Sequence, residues 1–352
     1  MTRRRGLRLG GVILAVYVSA CLAVGVYVEE GAVHPVRRQL TAADEAREIL
    51  RARDEDAALT DVSIAASDGI QLRGWDLEPE HSNGNAVILL HGVSDNRLGM
   101  NRYADLFLRH GYDVLMPDAR AHGLSEGSLA TYGLLESNDI HLWFDWLVAN
   151  HRPHCVYAFA ESMGAAQLLQ AIQTAPHFCA VAGECPFSNF REIAYDRVGQ
   201  HFNTGPWVGR TILWPLVESA FIYSRWKYGL DFEQVSPEDA LANTKVPVFL
   251  IHGQTDSNIP IRHSRRILAR NPSVVLWEVP NAEHSTAVTV EPEEFNRRLL
   301  GWFESHHGPG LASLSLPHPT RRDDRTLAKT QPLGKRAIRI TRLQGATEIG
   351  SS

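Results

Sequence analysis

The stretch CVYAFAESMGAAQLLQAI, residues 155–172, decides how this chain is read. Its opening, Cys155 to Ala160, is apolar without interruption, which suits a strand covered on both faces better than one with a wet side. Its end, AAQLLQAI (165–172), has a helical pattern. Between them stands Ala160-Glu161-Ser162-Met163-Gly164. A serine hydroxyl is a weak nucleophile that needs an exposed position and a nearby base. A tight strand-to-helix elbow supplies the exposure, small residues two before and two after the serine let strand and helix pass closely, and the helix N-terminus stabilises developing negative charge. Gly164 meets that demand, while Ala160 carries a methyl where glycine is commoner and puts the fine packing of the elbow in question.

Working outward, similar apolar runs recur: AVILLH (86–91), DVLMPD (113–118), CAVAGE (179–184), VPVFLIHG (246–253) and SVVLWEVP (273–280). Val62 to Ala66 and Ile70 to Leu77 read as an opening hairpin around the turn dipeptide Asp68-Gly69. Helical patterns separate the strands. Ile140, Trp143, Phe144 and Leu147 share one helix face ending near Asn150, and Gly111 caps the helix before it. Strand, helix, strand repeated in this way predicts an α/β fold over residues 60–304, with a mostly parallel sheet covered by helices on both faces.

Two further residues complete a chemistry. Asp256 lies just beyond one strand in HGQTDSNIP, and His284 just beyond the next in NAEHS. Parallel strands bring the loops at their carboxyl ends to one edge of the sheet. There His284 can remove the Ser162 proton while Asp256 holds the imidazole in the correct tautomer. Glu184 also follows a strand and is the rival for the acid role, although a structural or pocket-polar role suits it better.

Taken together, SDGIQLRGW (67–75), LLHGVSDN (89–96), PDARAHGLS (117–125), AESMG (160–164), HGQTD (252–256) and NAEHS (281–285) resemble the α/β-hydrolase superfamily, in particular bacterial serine hydrolases related to lysophospholipases, monoglyceride lipases and serine aminopeptidases. The resemblance covers about residues 60–304. It implies an oxyanion hole from the backbone N–H groups of Met163 and Val93, whose donors stabilise charge that appears only during reaction. It also makes His91 and His122 loop formers rather than bases.

The ends of the chain differ from this body. Leu9 to Val28 is uncharged for 20 residues, a length that crosses a hydrocarbon core about 30 Å thick. Arg3, Arg4, Arg5 and Arg8 precede the run and Glu29 and Glu30 follow it, so the positive-inside rule keeps residues 1–8 cytoplasmic and the body across the membrane. The same residues also fit a cleaved signal segment, and Val18-Ser19-Ala20-Cys21 resembles a lipoprotein cleavage box, but the apolar run continues to Val28 and favours an uncleaved anchor. Residues 29–59 form a linker whose Thr41 to Leu59 part reads as an exposed polar helix without a partner. From Ser305 to Ser352 apolar periodicity gives way to Gly, Pro, Ser and eight Lys or Arg against three acids, the composition of a disordered basic tail.

With four Arg and no acid in residues 1–28 and a net +5 in the tail, the total of -5 leaves -14 for residues 29–304. An acidic body argues against nucleic acid as the partner. No nucleotide-binding glycine motif or H-E-x-x-H occurs and the four cysteines form no C-x-x-C, so the chemistry is expected to need neither cofactor nor metal. Cys155 and Cys179 begin consecutive strands and can be neighbours; a disulfide is permitted, but buried free thiols are the expected state.

Pro186 to Ala240 shows no clear strand and holds 11 of the 29 Phe, Trp and Tyr residues, which predicts a helical cap over the strand ends. Phe202, Trp207, Trp214, Phe221, Tyr223, Trp226 and Tyr228 would favour an apolar acyl or alcohol group, and Arg225 and Lys227 are the only basic residues near the end of that cluster. The expected function is a membrane-anchored serine hydrolase acting on carboxylic esters through an acyl-enzyme. A serine aminopeptidase or thioesterase uses the same oxyanion chemistry, and a non-catalytic binding protein on a hydrolase fold is the alternative of a different class. No pattern in the sequence assigns an oligomeric state.

Overall fold

The computed structural model describes residues 2–174 and 177–307. Eight strands form one sheet: β1 (Ala57–Ala65), β2 (Gln71–Pro79), β3 (Ala86–Leu90), β4 (Asp113–Pro117), β5 (Val156–Glu161), β6 (Ala180–Glu184), β7 (Val248–Gly253) and β8 (Val275–Val279). Their order is β1-β2-β4-β3-β5-β6-β7-β8. The β1/β2 and β2/β4 pairs are antiparallel, and every pair from β4 through β3 to β8 is parallel.

The helices are α1 (Thr2–Val33), α2 (Ala42–Asp54), α3 (Asn101–Leu108), α4 (Glu136–His151), α5 (Ser162–Ala171), α6 (Phe190–His201), α7 (Trp207–Arg210), α8 (Trp214–Tyr228), α9 (Pro237–Ala240), α10 (Arg262–Arg270), α11 (Ala287–Val290) and α12 (Pro292–Glu304). Strands β3 to β7 are buried along their whole length, because alternate side chains enter two separate cores. Val87, Leu89, Tyr157 and Phe159 pack with Phe107, Phe295 and Phe303 on one face, while Ile88, Ala158, Ala160 and Val181 pack with Trp143, Phe144 and Leu168 on the other. Two buried faces explain why these strands read as continuous apolar runs rather than as alternation.

Several expectations are corrected. The polar helix stops at Asp54 rather than Leu59, because Asp56 turns into positive φ and Ala57–Leu59 join the antiparallel register with Pro79–Leu77. Nor is α2 without a partner. Glu48 and Ala52 are buried, Asn101 Nδ2 donates to Glu48 Oε2 over 2.7 Å, and Arg51 pairs with Glu48 and Asp105. Cys155 and Cys179 are bonded to each other, not free. They sit directly before two adjacent parallel strands with Cα atoms 5.8 Å apart, within bridging distance. The tail expected from Ser305 lies, beyond His307, outside the described residues.

Between Pro186 and Ala240 the described chain is helical, as anticipated. Its aromatics divide, however. Phe221 is buried with Phe187, Phe190 and Phe232, whereas Phe202, Trp207, Trp214 and Trp226 are exposed on the outer side. Arg225 and Lys227 are neutralised by Asp231 and Glu30. The third apolar cluster of the molecule lies here and includes Cys21 and Val33 of α1, so the N-terminal helix packs onto the cap.

Candidate active site

Strand β5 passes directly into α5 at Ser162, whose φ of +52° places a non-glycine residue in the left-handed region. Such backbone is costly and persists only where the surroundings enforce it. Here the enforcement comes from close packing. A Cβ on Gly164 would lie 2.6 Å from the His91 carbonyl oxygen and 2.7 Å from that of Leu90, so only glycine lets α5 cross β3 at this height. The methyl of Ala160 is accommodated. Ala160 pairs with Gly183 on β6, and a Cβ there would come to 3.2 Å from Ala165 Cβ; the residue without a side chain has moved to the neighbouring strand.

The other two loops meet at the end of β7 and β8. Gln254 N donates to the Val279 carbonyl over 2.9 Å, Thr255 N to that of Ala282 over 3.1 Å, and a Cβ on Gly253 would collide with the same Ala282 oxygen. This contact carries Asp256 and His284 to the elbow. His284 Nδ1 donates to Asp256 Oδ2 over 2.8 Å, and Ser162 Oγ donates to His284 Nε2 over 2.9 Å. All three residues predicted from sequence are thus brought together.

Asp256 is buried, and its Oδ1 accepts from Asn258 N at 2.9 Å and Ile259 N at 2.8 Å. Burial works to raise its pKa, but hydrogen bonds from His252 and His284 outweigh it and hold the carboxylate well below its ordinary range. An acid that stays ionised is what the imidazole requires as it gains a proton.

Met163 stands in the first turn of α5, where backbone N–H groups have no intrahelical acceptor. Val93 follows Gly92, at which an added Cβ would lie 3.5 Å from Ser162 Cβ. That loop is braced from below: buried Asp118 accepts from Arg97 N at 2.9 Å and Arg97 Nη2 at 2.7 Å, and His91 Nε2 accepts from Ala119 N at 3.1 Å. Burial and the neighbouring His91 push the His122 pKa down to about 4. Both rings bond within their own loops, His91 Nδ1 with the Gly92 carbonyl at 2.7 Å and His122 Nδ1 with the Arg120 carbonyl at 2.9 Å.

Glu184 is placed elsewhere than in the relay. Its Oε1 accepts from Ala287 N at 3.0 Å, and its Oε2 lies 3.2 Å from Tyr103 Oη. Complete burial, followed by the charge of nearby Glu161, pushes its pKa up to about 8. Tyr103 also bonds Glu161, and Arg102 Nη2 reaches Glu161 Oε1 at 2.8 Å and the Ser285 carbonyl at 3.1 Å. These four side chains tie α3 to the segment just after His284. Sequence reasoning missed Arg102, Tyr103 and Glu161 because their shared contacts span about sixty to 180 residues of chain, and no local spacing announces them.

Among the described residues, two groups have the donor types of a metal site. Cys185, His252 and Asp256 converge, but His252 is occupied by Ser264 Oγ and the Ile259 carbonyl, each at 2.7 Å, and Asp256 by the relay. Asp76, Glu78 and His151 form the second. Although burial opposes it, hydrogen bonds to Asp113 and Asp76 raise the His151 pKa to about 10, so a protonated imidazole already pairs with Asp76 and Asp113.

The fold and the elbow define a hydrolase of the α/β type. Residues 87–298 match the alpha/beta hydrolase family, and the chain belongs to it. Among curated proteins it is similar to the uncharacterized protein YqkD of Bacillus subtilis, at 28% identity over 69% of this chain and 78% of that one. It is also similar to the uncharacterized protein Rv2307c of Mycobacterium tuberculosis, at 26% identity over 68% and 75%. Among solved structures, the Pyrococcus furiosus esterase Pf2001 aligns with a TM-score of 0.60 at 24% identity, covering 78% of this chain and all of that one. An acylaminoacyl peptidase of Pyrococcus horikoshii aligns with a TM-score of 0.55 at 16% identity, covering 74% of this chain and 43% of that one.

Proposed function

We propose that this chain is a membrane-anchored serine hydrolase that cleaves carboxylic esters through an acyl-enzyme. The observation that carries the reading is the continuous relay Ser162–His284–Asp256, with separations of 2.9 and 2.8 Å, on an elbow held at positive φ. In the first step Ser162 Oγ bonds to the carbonyl carbon as its proton passes to His284 Nε2. The carbonyl oxygen becomes an oxyanion facing the N–H groups of Met163 and Val93. Collapse expels the alcohol, which takes the proton from His284. Water then repeats the sequence on the acyl-enzyme and releases the acid. The role of Asp256 is to accept from Nδ1–H and balance the imidazolium.

The ester preference is supported by the esterase neighbour. The anchor reading is supported by α1, a helix whose Arg5–Val33 part is long and apolar enough to cross a membrane. Labelling by a fluorophosphonate probe tests the nucleophile: the wild type should be modified at Ser162 and Ser162→Ala should not. An unlabelled wild type would leave a binding protein on a hydrolase fold. Turnover of p-nitrophenyl esters against aminoacyl and acylaminoacyl amides then separates esterase from peptidase, the latter being the activity named for the second structural neighbour.

A further inference from the structure

Helix α1 does not stand apart from the cap; its C-terminal half lies along α8. Tyr17 bonds the Ile212 carbonyl, Ser219 Oγ donates to the Cys21 carbonyl over 3.2 Å, and a Cβ on Gly25 would collide with Ser219 Oγ and the Leu216 carbonyl. Thirteen residues after Tyr17, Glu30 Oε1 accepts from Tyr223 at 2.7 Å, Tyr228 at 2.6 Å and Lys227 at 2.8 Å. The two helices therefore run in the same sense and stay together from Tyr17 to Glu30.

Length then imposes a condition. The uncovered part of the apolar run, Leu9 to Val16, is about 12 Å long at 1.5 Å per residue, well short of a hydrocarbon core about 30 Å thick. The part beside α8, Tyr17 to Val28, supplies roughly the remaining 18 Å. A bilayer that contains the whole run must also contain the outer face of α8.

That face is suited to lipid. From Thr211 to Ser224 its exposed residues are Thr211, Ile212, Trp214 and Ile222, none of them ionised, and Glu218 is half-buried and paired with Arg191. Phe202 and Trp207 are exposed on the same cap. Arg210, exposed just before that stretch, is paired with Glu192, and beyond Ser224 charge returns at one level, where Lys227 pairs with Glu30 and Arg225 with Asp231. Tyr27 and Trp226, each 80% exposed, stand at that same level, as aromatic residues do at a membrane–water boundary.

We infer that α8 is immersed beside α1 in the hydrocarbon of one leaflet, so that anchor and cap form a single lipid-embedded unit whose partner is the bilayer itself. The inference rests on the anchor reading above and deepens it. Gln200 of α6 also donates to the Ser257 and Asn258 carbonyls at 2.7 and 2.8 Å, which fastens the same cap to the loop bearing Asp256. Esters dissolved in that leaflet are then the substrates nearest the site.

The test uses the full chain in phosphatidylcholine vesicles with a nitroxide at Ile222→Cys, Leu22→Cys or Val275→Cys; Cys21 and Cys185 are buried. The ratio of oxygen to nickel-chelate collisions at position 222 should match that at 22 and exceed that at 275 severalfold. A ratio at 222 equal to that at 275, with 22 still lipid-like, would overturn the inference and leave the anchor standing. Aqueous ratios at both 22 and 222 would remove anchor and inference together. Independently, Ile222→Glu should lower turnover of a long-chain ester in vesicles severalfold while soluble p-nitrophenyl acetate is hydrolysed as before. Equal turnover of the vesicle-borne ester would count against immersion. A wild type inactive on both esters would refute the ester-hydrolase reading alone, and the collision ratios would still decide immersion.

Discussion

Asp256 and Glu184 are both buried acids at the ends of adjacent strands, and their surroundings push their pKa values in opposite directions. Asp256 is held ionised by hydrogen-bond donors; Glu184 is held protonated by burial and by Glu161. Asp256→Asn should therefore reverse the His284 tautomer and lower kcat by about four orders of magnitude. Glu184→Gln keeps an acceptor for Ala287 N and a donor toward Tyr103, so its kcat should stay within about threefold of wild type. Steady-state kinetics of the two variants would exchange the roles if the losses were reversed. The same carboxyl predicts a pH dependence. Unfolded Glu184 loses its proton near its ordinary pKa, while the folded group keeps it up to about 8. Between those limits the unfolded state binds fewer protons, so stability falls as pH rises. Glu184→Gln should lose this component, and its Tm advantage over wild type should grow from pH 5 to pH 8 in thermal melts.

At the scale of elements, the elbow depends on the crossing of α5 over β3. Gly164→Ala would drive a methyl into two carbonyl oxygens that belong to the backbone of β3 and the loop after it. Neither can rotate away as a side chain could. The substitution should destabilise the protein by roughly 1–3 kcal/mol in urea titrations and reduce fluorophosphonate labelling through a displaced Ser162. Ala160→Gly, in contrast, removes a methyl that the structure has already accommodated opposite Gly183, and should leave labelling intact.

At the scale of the whole molecule, the Cys155–Cys179 bond and the apolar N-terminal helix bear on the same question. The bond closes a loop of sequence separation 24, for which chain entropy gives a stabilisation of about 3.5 kcal/mol. Thiol counting under denaturing, non-reducing conditions should find only Cys21 and Cys185, and reduction should lower Tm. Four free thiols would deny the bond. Disulfides persist in oxidising compartments, and the proposed placement of the body across the membrane from the Arg-rich start is open to a direct test. Protease added outside spheroplasts should then reach the chain beyond Val28. Cleavage only after lysis would reverse the orientation.

The sequence by itself determined the alternation, the elbow and the chain order Ser162, Asp256, His284, because each is written in a short window: an apolar run, a turn, a polar residue at its end. It also indicated a helical cap, since an aromatic-rich segment of that length without strands must pack as helices. Other features depended on which distant segments come to lie side by side. Only tertiary structure set Gly183 opposite Ala160, joined Cys155 to Cys179, took Ala57–Leu59 from a helix into β1, and left Phe202, Trp207, Trp214 and Trp226 of the cap exposed. The physical reason is common to all four. A strand neighbour, a disulfide partner or a buried face is a contact between residues far apart in the chain, and local propensity carries no information about which partner will be there.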